Sequence, residues 1–176
     1  YDYDAVNRIT KVTYPDAKSV SYEYDHNSNR TKLIYPDASY ITYEYDQLNR
    51  LSAIKDQSAQ SIATYTHDAL SRRRQADYAN NTLLTYAYDD ANRLTALVNK
   101  SSASTISSFD YTYDKVANRK TMVTLEGTHN YTYDKTYQLK AVDYPAGVTF
   151  PDTTFTYDKV GNRTQTLNGG TTTYTP

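Results

Sequence analysis

The chain has 176 residues with 19 Lys and Arg against 20 Asp and Glu, and a formal charge of −1 gives phosphate backbones and anionic lipid surfaces no net attraction. It contains no Cys and no Trp, one Met and three Phe, which excludes a disulfide framework and leaves few of the residues that fill an ordinary interior. Against disorder stand 21 Tyr and many Thr, Val and Ile, a population suited to pleated, half-buried sheet surfaces.

Self-similarity organises everything that follows. In chain order the element Tyr-x-Tyr-Asp occurs at Tyr1, Tyr3 and Asp4; at Tyr22, Tyr24 and Asp25; and at Tyr43, Tyr45 and Asp46. A variant with His67 in the second tyrosine place follows at Tyr65 and Asp68, then full copies at Tyr86, Tyr88 and Asp89, at Tyr111, Tyr113 and Asp114, and at Tyr131, Tyr133 and Asp134. The eighth copy opens on Phe155 and continues with Tyr157 and Asp158. Successive marker aspartates are 21, 21, 22, 21, 25, 20 and 24 residues apart, a period near 21 with variable loops. Four or five residues beyond each Asp comes an arginine: Arg8, Arg30, Arg50, Arg72, Arg93, Arg119 and Arg163, usually after Asn. The seventh unit departs, with Gln138 in that place.

Each unit reads as strand, turn, strand, turn. In the first, residues 8–14 and 18–24 are β-rich runs separated by Tyr14-Pro15-Asp16-Ala17, and the second repeats the pattern with Tyr35-Pro36-Asp37-Ala38. Pro presets φ at the second turn position and Asp bonds its own backbone, so both are turn signals. Ala79-Asn80-Asn81, Glu126-Gly127, Pro145-Ala146-Gly147 and Asn168-Gly169-Gly170 punctuate later units. The Ser-rich stretch 99–108 and residues 145–151 lengthen the fifth and seventh units, and both are expected at tips, where insertions leave the strands intact. The expected fold is all-β: antiparallel hairpins, two strands per repeat, stacked as a single array over 1–176.

Side chains alternate along a strand, so Tyr22 and Tyr24 share a face while Ser21 and Glu23 point away. Stacking the hairpins is expected to align the rings into a ladder, ring packed on ring, that stands in for a conventional core. The Asp caps the free amides of its turn, and the Arg either returns to that Asp or lies over a tyrosine ring of the adjacent unit.

A residue pair repeated once per structural unit is not an active site, which needs one unique constellation. His26, His67 and His129 lie in unrelated contexts, and the sequence holds neither a nucleophile elbow nor a Gly-rich phosphate loop, HExxH or Cys-based metal site. Asp25-His26-Asn27-Ser28-Asn29 lacks the central Gly and closing Glu of a calcium loop and reads as a turn. No catalytic, cofactor or metal residue is therefore assigned. Asn80-Asn81-Thr82 and Asn130-Tyr131-Thr132 are glycosylation triplets of the kind that chance supplies in an Asn- and Thr-rich chain.

These residues resemble the RHS or YD-repeat family, whose tyrosine-aspartate signature is matched by Tyr45-Asp46-Gln47-Leu48-Asn49-Arg50-Leu51 and Tyr157-Asp158-Lys159-Val160-Gly161-Asn162-Arg163. The resemblance spans essentially the whole chain. It implies long hairpins that spiral into a hollow shell, as in bacterial polymorphic toxins, the B and C components of insecticidal toxin complexes, and teneurins. The shell commonly encloses a toxin, and the repeats themselves are not enzymes. Nothing after Arg163 resembles the family's terminal core segment or an effector, and the phase of the repeat calls for a further Tyr at 176, so a window on a longer array is expected. About sixteen strands at roughly 4.8 Å make only about 75 Å of sheet, less than a closed cocoon needs. The first functional reading is a wall segment of a secreted or cell-surface protein, with neighbouring repeats and an enclosed protein as partners. The second is an extracellular fibre or adhesin bearing or binding glycans. An isolated stretch of such repeats is expected to be poorly soluble unless capped or polymerised.

Overall fold

The computed structural model describes residues 1–174 and contains seventeen β-strands and no helix among them. The chain falls into two compact units, Tyr1–Leu84 and Thr85–Pro176. The first holds β1 (Asp2–Tyr3), β2 (Ile9–Thr13), β3 (Ser19–Tyr24), β4 (Arg30–Ile34), β5 (Tyr40–Tyr45), β6 (Leu51–Asp56), β7 (Ser61–His67) and β8 (Arg73–Tyr78). β9 (Leu83–Tyr88) begins at its end. The second holds β10 (Leu94–Lys100), β11 (Thr105–Tyr113), β12 (Arg119–Thr124), β13 (Gly127–Tyr133), β14 (Leu139–Asp143), β15 (Thr153–Tyr157), β16 (Arg163–Leu167) and β17 (Thr171–Thr173). Within each unit every strand pairs antiparallel with the next in sequence, β1 to β8 and β10 to β17. The all-β hairpin array read from the motif is thus what the chain forms.

Alternation sorts the two faces. Val12 pairs with Val20, Tyr22 with Leu33, Leu33 with Ile41, Tyr43 with Ile54, Ile54 with Ala63 and Tyr65 with Ala76, so one face carries the tyrosines and aliphatics. The opposite face carries Glu23 against Lys32, an ion pair at 3.4 Å, and Glu44 with Lys55 at 2.5 Å. Because a single sheet covers neither face fully, burial is shallow: among the described residues the buried apolar ones are Ala53, Ala63, Ala76 and Val142, and no large side chain is fully buried. Cross-strand pairs, not a central interior, supply the packing.

Turns fix the register. At the motif end, Asn7 N donates to Asp4 O (3.0 Å) and Asp4 N to Arg8 O (2.9 Å); at the far end, Ala17 N donates to Tyr14 O (3.0 Å) and Tyr14 N to Lys18 O (2.8 Å). Both are three-residue hairpin loops whose last member is left-handed. The same pair of bonds recurs at the other motif turns and at 35–39, 56–60 and 78–82. The left-handed place is filled by Asn7, Ser28, Asn49, Ser71, Asn92, Ala117, Tyr137 and Gly161 at the motif ends, and by Ala17, Ala38, Ala59 and Asn81 at the far ends. Beyond each motif turn the pairing slips by one residue: Glu23 faces Lys32, yet Tyr24 faces Arg30. The slip recurs at Tyr45, His67, Tyr113, Tyr133 and Tyr157.

The Ser-rich stretch is placed differently from expectation. Only residues 101–104 make a loop, while Asn99 pairs with Ser107 and Val98 with Ser108, so the insertion mainly lengthens the strands. Ser and Thr donate and accept through their backbones like any other residue, and the partner strand β10 was long enough to take them. Residues 144–152 do form a loop, as expected for the seventh unit. The position assigned to a further tyrosine, 176, lies outside the described residues.

Candidate functional site: the aspartate turn and its arginine rungs

The aspartate that ends each motif strand closes its own turn. Asp4 Oδ1 accepts the amides of Val6 (3.0 Å) and Arg8 (2.9 Å), and Oδ2 accepts Arg8 Nε at 2.6 Å. Asp46 does the same with Leu48 and Arg50, and Asp68 with Leu70 and Arg72. Asp89 binds the amide and Nε of Arg93. Where the fourth residue after Asp is asparagine, its Nδ2 takes the place of Nε: Asn29 on Asp25, Asn118 on Asp114 and Asn162 on Asp158. In the seventh unit the Thr136 hydroxyl and the Gln138 amide serve Asp134.

These bonds hold every motif carboxyl below its ordinary value of 3.8. The Arg8 backbone amide leads at Asp4, as do the amides of Arg50 at Asp46 and Arg93 at Asp89. Side-chain bonds lead at Asp25 (Asn29), Asp158 (Asn162) and Asp134 (Thr136). At Asp68 and Asp114 burial pushes hardest, upward, but the combined bonds from the Arg72 and Asn118 sides outweigh it.

The arginines divide into two kinds by a one-residue difference in spacing. At Asp+4, Arg8 reaches the next unit: Nη1 donates to Asp25 O (2.9 Å) and Ser28 Oγ (3.1 Å), and its plane lies 4.7 Å from the Tyr24 ring. Arg50 donates to Asp68 O and Ser71 Oγ; Arg93 donates to Asp114 O (3.2 Å) and covers Tyr113 at 4.8 Å. Arg72 binds Asp68. At Asp+5 the arginine leaves the turn and lies among rings. Arg30 sits between Tyr22 (5.8 Å) and Tyr43 (4.7 Å), donating to the Tyr43 hydroxyl, and Arg119 sits between Tyr111 (5.7 Å) and Tyr131 (4.4 Å). Arg73 covers Tyr65, and Arg163 covers Phe155.

This corrects the expectation of ring packed on ring. Equivalent tyrosines are two strands apart, about 9.6 Å, whereas rings in contact have centroids about 4.5–7 Å apart. A planar guanidinium fills the difference. The second tyrosine is anchored instead through its hydroxyl, which donates to the carbonyl of the residue at Asp+5 in the preceding unit: Tyr24 to Ile9, Tyr45 to Arg30, Tyr113 to Leu94, Tyr133 to Arg119 and Tyr157 to Leu139, at 2.6–2.9 Å. Burial raises the phenols of Tyr45, Tyr111, Tyr131 and Tyr133 above their ordinary value. Of the remaining motif rings, Tyr1 and Tyr3 are exposed, and Tyr86 and Tyr88 lie half-buried in β9.

Sequence reasoning did not separate the two arginine spacings. It also passed over the turn at Asp56, whose Oδ1 accepts the amides of Ser58 and Gln60 with no tyrosine pair before it. Two residues past the marker Asp, Val6, Leu48, Leu70, Val116 and Val160 stand exposed on the turn tips.

Successive units of the hairpin array are thus joined by an aspartate-capped turn, an arginine and a tyrosine hydroxyl, the organisation of a structural repeat module. The family model described as RHS Repeat matches residues 3–40, a stretch that begins within the first copy of the Tyr-x-Tyr-Asp motif and contains the second. No curated protein matches it. Among solved structures it is similar to a Tc holotoxin pore of Photorhabdus luminescens, with 17% identity, a TM-score of 0.74 and 88% of this chain covered. Crystal structures of TcdB2-TccC3 with Cdc42 (17% identity, TM-score 0.76) and of TcdB2-TccC3 without its hypervariable C-terminal region (19%, 0.75) also match over 88% of it. The chain spans 9% of the length of each of these proteins.

Proposed function

We propose that the chain is a non-catalytic wall segment of a secreted or cell-surface RHS-repeat protein, and that the wall encloses a protein cargo. One observation carries the reading: the motif aspartate of each unit closes its own turn, and the arginines Arg8, Arg50 and Arg93 that follow it bind that aspartate and bridge to the next unit. A carboxylate that accepts two amides and a side chain is employed in closing its own turn, and it repeats where an active site would be unique. The similarity to toxin-complex structures supports the enclosing role.

The test uses the complete protein that contains this segment. Limited proteolysis with electron microscopy should show hollow particles and one internal fragment that becomes digestible only after the wall is denatured. Filaments without a protected fragment would instead establish the fibre reading.

A further inference from the structure

The seventh unit is the one whose sequence supplies an arginine at neither Asp+4 nor Asp+5; Gln138 and Leu139 stand there. The groups that an arginine at Asp+4 uses elsewhere are nevertheless present. For Arg8 they are the Asp4 carboxylate, the carbonyl of Asp25 and the ring of Tyr24. Their counterparts here are Asp134, the carbonyl of Asp158 and Tyr157, whose ring is fixed by the hydroxyl bond to Leu139 O at 2.8 Å. Asp134 takes its described bonds, from the amides of Thr136 and Gln138 and the Thr136 hydroxyl, all on Oδ1, so Oδ2, the oxygen that Nε occupies in the first unit, carries none of them. Gln138 reaches only as far as Gly161 O, at 3.4 Å. Between these groups lies an open cleft of ≈ 550 Å³, lined by Asp134, Gln138, Lys140, Tyr157, Asp158 and Lys159 among others. Neither lysine makes a described ion pair with Asp134, and both are exposed.

We propose that this cleft is a guanidinium-binding site, in which the side chain of an incoming arginine, or a free guanidino compound, takes the place that the chain's own arginine holds in other units. The planar cation donates to Asp134 Oδ2 and to the Asp158 carbonyl while its face covers Tyr157, with Gln138 swinging aside. A fork that donates in two directions and stacks is what these three groups require; an ammonium has three donors but no planar face to lie over the ring while its donors hold both oxygens. The site stands independently of whether the wall encloses cargo.

Agmatine represents the free compound, acetyl-arginine methylamide the chain-borne side chain, and cadaverine the ammonium control. Each is titrated into the 176-residue chain while amide and tyrosine ring resonances are followed. Agmatine, the arginine amide or both should shift Thr136, Gly161 and Tyr157 with a dissociation constant on the order of 1 mM, and whichever binds more tightly names the source. Cadaverine should bind several-fold more weakly. Leu48 and Ser71, beside the rung already filled by Arg50, serve as the internal control and should not move. Gln138→Arg supplies the cation internally and should weaken binding at least tenfold. Loss of selectivity between agmatine and cadaverine, equal shifts at Leu48 and Ser71, undiminished binding in Gln138→Arg, or no shift at 20-fold that concentration would each overturn the proposal; the first two are read on the unmodified chain, so they hold even if the variant does not fold.

Discussion

Arg93→Lys tests the inter-unit rung directly, because lysine retains the charge near Asp89 and removes only what a fork supplies. The arginine makes one charge-assisted bond to the Asp114 carbonyl at 3.2 Å and covers the Tyr113 ring at 4.8 Å, with its side chain 30% exposed. At that exposure the carbonyl bond contributes about 0.5–1.5 kcal/mol net. The ring contact adds about 0.5–1 kcal/mol. The substitution should therefore cost about 1–2 kcal/mol, accelerating exchange of the Asp114 and Ala117 amides about 5- to 30-fold under conditions where exchange reports the opening equilibrium. Hydrogen exchange is the suitable assay, since a repeat array need not melt as one cooperative unit. In a Tyr113→Leu background the same substitution should lose less, because the ring part is already gone. An exchange change below twofold, or an identical loss in both backgrounds, would refute the bridging role assigned to the arginine.

Three further outcomes follow from the same geometry. Tyr137, at φ 65°, holds a bulky residue where the left-handed turn place favours Gly or Asn, so Tyr137→Gly should stabilise its turn by about 0.5–1 kcal/mol, read as slower exchange of its own amide. Tyr24→Phe removes the hydroxyl bond to Ile9 O at 2.8 Å but leaves the ring beneath Arg8, so it should cost about 1 kcal/mol, read as about fivefold faster exchange of the Asp25 and Ser28 amides, less than Tyr24→Leu. The motif carboxyls have lowered values in the folded chain, so as pH falls the unfolded chain takes up their protons first. Their stabilisation is fully present above about pH 4–5 and lost as pH drops through the lowered folded values, so melting temperature should hold from pH 7 to 5 and fall below about pH 4. A flat profile down to pH 2.5 would show that the aspartate turns contribute nothing.

The period and the Tyr-x-Tyr-Asp element were sufficient to locate the motif strands, because a strand that must stop at a tight turn leaves a marker at the same place every time. Pro15-Asp16 and Pro36-Asp37 located the far turns for a local reason that needs no partner. What escaped was relational. Whether an arginine one residue earlier or later meets a carboxylate or a ring depends on the register slip beyond the turn, where Tyr24 faces Arg30, and that slip exists only once two strands are paired. The turn at Asp56 was missed because Gln57 stands where Pro15 and Pro36 mark the other two, although all three fill the left-handed place with alanine. The stretch 99–108 misled because serine content marks loops only on average, and here the backbone of an adjacent long strand decided the matter.

The bridging bonds of Arg8, Arg50 and Arg93 end on main-chain oxygens, at Asp25, Asp68 and Asp114. A main-chain acceptor is present whatever side chains the next hairpin carries, so this bond of the joint, unlike the contacts to the Ser28 and Ser71 hydroxyls and to the Tyr24 and Tyr113 rings, is indifferent to its neighbour's identity. Hairpins connected this way are interchangeable: one can be duplicated, dropped or exchanged by recombination without redesigning the connection. Length and surface chemistry can then drift separately in such a gene while the seam between consecutive modules stays constant.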